Sequence, residues 1–116
     1  MIRKIAGNML IECGYTVLNA ENGIIGIELL KENLNSISLV ITDMSMPVMS
    51  GLEIFNEIKK IKQDVKILLI SGYKQDKRVL TCIEQGADFF LQKPFTLKEL
   101  SKAVYDVLNA QSVLND

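Results

Sequence analysis

Three residues have the side chains to handle a phosphoryl group, and each closes an apolar run: Asp43 after residues 37–42, Ser71 after 65–70 and Lys93 after 88–92. A carboxylate oxygen can attack phosphorus and form an acyl phosphate without a further acid or base. The transferring group carries negative charge on its equatorial oxygens, so its catalysis is chiefly positioning and charge neutralisation. Lys93 would pair with one phosphoryl oxygen, Ser71 would donate a hydrogen bond to another, and a Mg²⁺ held through oxygen ligands would take a third. Taken singly, each residue is ordinary. Asp after a strand is a common turn or N-cap residue, Lys93-Pro94 reads as an exposed turn, and Ser71-Gly72 reads as a loop pair. The assignment rests on all three falling at successive strand ends.

The elements that must position them follow from the hydrophobic period. Ile2, Ile5, Ala6, Met9 and Leu10 share one helix face, and Gly14 is placed to close that helix in the left-handed conformation. Residues 16–18 form a short strand candidate. A second helix spans about 23–34, with Ile27, Leu30 and Leu34 on one side. Residues 37–42 and 65–70 are nearly continuous apolar runs, as a parallel strand covered on both faces requires. Ser50 with Glu53, and Thr96 with Glu99, make capping boxes that open two further helices. Another helix near 75–85 ends at Gly86, and residues 88–91 read as the last strand. The order α-β-α-β-α-β-α-β-α implies one α/β domain over residues 1–116, with a parallel sheet and helices on both faces. In such a sheet, ligands bind beyond the carboxyl ends of the strands, where Asp43, Ser71 and Lys93 fall.

Composition removes several alternatives. The 116 residues are 48% hydrophobic, enough for a packed core, and 13 Lys and Arg against 14 Asp and Glu give a net charge of -1. No basic stretch suggests nucleic-acid binding; Lys59, Lys60 and Lys62 read as a solvated helix face. No apolar run is long enough to span a bilayer, so the expected location is cytoplasmic, with Cys13 and Cys82 as buried or half-buried free thiols. The absence of histidine excludes His triads, His metal sites and a phosphohistidine donor role.

The chain resembles the receiver domains of two-component signalling. Residues 43–51, DMSMPVMSG, are similar to the family's D-x-x-M-P-x-M-[DS]-G phosphorylation loop. Ser71-Gly72 resembles its switch hydroxyl followed by a small residue, and residues 86–95, GADFFLQKPF, resemble its G-A-D-x-[FY]-x-x-K-P-F segment. The resemblance implies a flavodoxin-like doubly wound fold in which Asp43 takes a phosphoryl group from a histidine kinase or its phosphotransfer domain. It implies Mg²⁺ at Asp43 and at the backbone carbonyl of Ser45, and a cis peptide between Lys93 and Pro94. Ser71 and Phe90 would form the switch that alters the face of the family's fourth helix, fifth strand and fifth helix. Residues 71–73 and 90–95 look most like the receivers at the C-terminus of hybrid sensor kinases. Such a domain is a signalling switch and not an enzyme, beyond assisting its own phosphotransfer and dephosphorylation.

The pattern departs at the N-terminus. The family's first strand, which ends in an acidic pair, has no counterpart before the first helix. Its absence implies weakened Mg²⁺ binding and open strand edges that invite dimerisation or strand swapping. Two accounts stay open: the chain begins inside a longer protein, or another segment fills the gap. The alternative reading is a degenerate receiver acting as a phosphorylation-independent interaction module. A dehalogenase-type phosphatase is disfavoured by Ser45 where that chemistry needs a second Asp, and flavin binding by the lack of a Ser/Thr-rich phosphate loop. Ile24 and Ile25 are expected to widen the buried stripe of their helix, the alternative being that one of them marks a contact surface.

Overall fold

The computed structural model describes residues 2–44, 51–72 and 77–109, with side chains from residue 6 onward. The described residues form five helices and three strands, alternating from α2 onward: α1 (Ile2–Glu12), α2 (Gly23–Glu32), β1 (Leu39–Asp43), α3 (Gly51–Ile61), β2 (Lys66–Ser71), α4 (Lys77–Glu84), β3 (Phe89–Gln92) and α5 (Leu97–Asn109). The strands form one parallel sheet in the order β1-β2-β3.

Central β2 explains the layering. Its side chains alternate between faces, and both faces are buried. Ile67 and Leu69 join Ile27, Leu30, Ile54, Phe55, Ile58, Val79 and Cys82, so α2, α3 and α4 cover one face. Leu68 and Ile70 join Leu10, Leu100, Ala103, Val104 and Val107, so α1 and α5 cover the other. The doubly wound α/β architecture is therefore the one the alternation implies.

Several local expectations hold. Gly14 and Gly86 take positive φ values of 101° and 110° just past α1 and α4, a conformation costly to any residue with a Cβ. The Thr96–Glu99 box forms in both directions, with Glu99 N–H donating to Thr96 Oγ1 at 3.0 Å and Thr96 N–H to Glu99 Oε1 at 2.8 Å. The Ser50–Glu53 box lies outside the described residues.

Four expectations need correction. Residues 16–18 form no strand. A strand exists only against a partner, and no described strand pairs with them. Ile24 and Ile25 do not widen a buried stripe: they are 55% and 41% exposed, while Ile27 and Leu30 face the core. Cys13 is exposed, whereas Cys82 is buried. The lysines at the end of α3 are more than a solvated face. Lys62 Nζ donates to the carbonyls of Leu34 and Ile37, and Lys59 Nζ to those of Gln63 and Val65. They thus tie down carbonyls of the segments that follow α2 and α3. No described helix is long and apolar enough to cross a membrane.

Candidate phosphoryl site at the strand ends

Parallel register brings the three expected residues to one sheet edge. Asp43 lies opposite Ile70 in the β1–β2 ladder, and Ser71 lies opposite Gln92, one residue before Lys93. Backbone bonds lock these ends together. Met44 N–H donates to Ile70 C=O at 2.8 Å, and Lys93 N–H to Ser71 C=O at 2.9 Å. The geometry of the site is thus fixed by main chain before any side chain is considered.

Lys93 Nζ lies 2.6 Å from Asp43 Oδ2, and both side chains are about one-third exposed. That exposure leaves the carboxylate reachable from outside. Ser71, at the end of the central strand, is only 1% exposed. Phe90 is half-buried on β3 and packs against the cluster under α2, α3 and α4, whereas its neighbour Phe89 faces outward. The Lys93-Pro94 peptide is cis, as the resemblance implies. Ser45 lies outside the described residues.

A less legible contributor is Met44. It is buried, and a Cβ built at Gly51 would lie 2.6 Å from Met44 Sδ and 2.8 Å from its Cα. The start of α3 therefore rests directly on the residue after Asp43, which only glycine permits. Gly51 in the loop pattern is the one sequence signal of that contact.

As a cation site the described donor set is incomplete. Asp43 is its carboxylate, Lys93 already faces that charge, and no group of three His, Cys, Asp or Glu among the described residues could hold a metal ion.

A parallel α/β sheet with a carboxylate, an ammonium and a hydroxyl at its carboxyl edge is the arrangement expected of a receiver domain, and comparison with known proteins gives that family. The family model for the response regulator receiver domain matches residues 1–105. The chain belongs to this family and is a receiver domain of two-component signalling. It is 32% identical over 114 residues to a chemotaxis protein CheY homolog of Campylobacter jejuni, covering 96% of the chain and 87% of that protein. It is 34% identical over 98 residues to the sensor kinase CckA of Brucella abortus, covering 84% of the chain but 10% of the kinase. A receiver domain structure from Clostridium thermocellum superposes with a TM-score of 0.86 at 35% identity, covering 93% of this chain and 86% of that one. The receiver of a Pseudomonas aeruginosa sensor histidine kinase, with magnesium coordinated in its active site cleft, shares the fold at a TM-score of 0.79 and 21% identity, over 92% and 88% of the chains.

Proposed function

We propose that the chain is a phospho-accepting switch of a phosphorelay, with Asp43 as acceptor. The observation that carries this reading is the Lys93 ammonium 2.6 Å from Asp43 Oδ2, at strand ends that also present buried Ser71. An Asp43 carboxylate oxygen attacks the phosphorus of a phosphohistidine on a histidine kinase or phosphotransfer domain. The new O–P bond forms as the donor's P–N bond breaks, and the departing imidazole takes a proton from water. Lys93 neutralises a phosphoryl oxygen and Ser71 donates to another.

The acyl phosphate then draws the Ser71 hydroxyl toward it, and Phe90 repacks against its half-buried seat. The output face is that of α4, β3 and α5, where Leu80, Ile83, Phe89 and Tyr105 are exposed. The domain acts in the cytoplasm and is no enzyme toward a separate substrate. Asp43 and the Ser45 carbonyl would hold Mg²⁺, which would offset charge on the phosphoryl oxygens, more weakly than a site with further carboxylates. The alternative reading is a phosphorylation-independent interaction module, which the exposed apolar residues Leu80, Ile83 and Phe89 would serve equally.

Mass spectrometry after incubation with an acyl phosphate donor, with and without Mg²⁺, separates the two. One added phosphoryl group at Asp43, absent in Asp43→Asn, is the expected result. An unmodified Asp43, together with partner affinity unchanged by Asp43→Ala, would establish the module reading instead.

A further inference from the structure

Asn22 is the one asparagine of the chain that is followed by glycine. In such a pair the glycine backbone nitrogen can attack the asparagine side-chain carbonyl, because no Cβ beside that nitrogen blocks the approach. Here the pair sits at the joint between a loop and a helix. Asn22 is the N-cap of α2, in an extended conformation with φ −153° and ψ 174°. Its Oδ1 accepts from Ile25 N–H at 3.0 Å, and its backbone carbonyl accepts from Gly26 N–H at 3.0 Å. Gly23, the first residue of α2, is buried.

The two reacting groups are primed and held apart at once. Gly23 N–H is among the first helical donors, which have no intrahelical acceptor, and it has none among the described residues. The bond from Ile25 N–H draws electron density from the carbonyl at Asn22 Cγ. Ring closure, however, needs Gly23 N to lie close to the plane of the Asn22 carbonyl carbon, Cα and Cβ. At ψ 174° it stands well out of that plane. Turning ψ to bring it in rotates the Asn22 carbonyl as well, which breaks the bond from Gly26 N–H and opens the cap.

We propose that Asn22-Gly23 is a deamidation site gated by its own helix cap, reacting when the first turn of α2 opens. In the open turn Gly23 N gives its proton to hydroxide and bonds Asn22 Cγ. The Cγ–Nδ2 bond breaks, and ammonia leaves with a proton from water. A second water then opens the five-membered succinimide. Cleavage at Cγ leaves aspartate at position 22 with the main chain unchanged. Cleavage at the backbone carbonyl leaves isoaspartate, whose main chain runs through Cγ. Nothing is oxidised or reduced.

The products differ in what they do to the fold. Aspartate caps as asparagine does, and its charge suits a helix N-terminus. Isoaspartate lengthens the main chain by one atom, so the bonds from Ile25 and Gly26 cannot both form in their present register. The turn then stays open beside Ile27 and Leu30, the residues that α2 gives to the core. This inference is independent of whether Asp43 is phosphorylated.

The test follows the intact chain at neutral pH, folded and in urea, by peptide mapping in heavy-oxygen water. Label should enter at position 22 in both states, about fivefold or more slowly in the folded chain, whose cap is open only part of the time. Gly23→Ala should slow the reaction in both states, because a Cβ crowds the attacking nitrogen. The isolated isoaspartate form should melt about 4 °C below the parent, as Asn22→Ala should, whereas Asn22→Asp should not. No label at position 22 in either state would remove the site. Labelling as fast or faster in the folded chain would remove the gate. An isoaspartate form as stable as Asn22→Asp would show that the cap survives the change, which also overturns the proposal.

Discussion

At the scale of single residues, the Asp43–Lys93 pair separates stability from function. The two side chains are partly solvated, so their attraction is screened and contributes little to folding. Lys93→Ala should lower stability by no more than about 1 kcal/mol, read from the urea midpoint. The same change should slow phosphoryl uptake at Asp43 on the order of a hundredfold, because it removes a positioned charge from the transition state. A stability loss with unchanged uptake would make Lys93 a structural residue only. The residue types at 43, 71 and 93 were readable directly, since chemistry resides in the side chain. The 1% exposure of Ser71 was not, because the position of its strand in the middle of the sheet sets it.

At the scale of elements, the decisive contacts are those where one element rests on another. Gly51→Ala illustrates the competition. Alanine favours a helix over glycine by roughly 0.5–1 kcal/mol. Its Cβ, however, would sit 2.8 Å from the Cα of Met44, a backbone atom that cannot rotate away. Overpacking of this kind costs about 1–3 kcal/mol, so the substitution should be destabilising on balance, by the midpoint of urea unfolding. The helices and β1 to β3 were legible from period and capping, because those signals are local. Residues 16–18 have strand-like composition and no strand, because pairing is a property of two segments and not of one. Ile24 and Ile25 follow the same logic: their type suggested burial, but α2 offers the core only the face of Ile27 and Leu30.

At the scale of the whole molecule, two cores share one sheet. Leu68 and Leu69 are both fully buried, yet they face opposite helix layers, the first toward α1 and α5 and the second toward α2, α3 and α4. Truncating either to alanine should cost about 2–5 kcal/mol, with the urea midpoint lowered and the m value unchanged. Against a total of roughly 5–15 kcal/mol for a typical domain, either loss is a large fraction. A small effect at one site alone would mean that its helix layer is loosely packed. The sequence by itself determined the alternating α/β class, the three chemical residues and their place at strand ends, because period and residue type are written along the chain. Only the tertiary structure decided that Lys93 reaches Asp43 and that Met44 lies beneath Gly51. Those facts depend on which segments lie side by side, and strand pairing and packing between distant segments leave no mark on either segment alone.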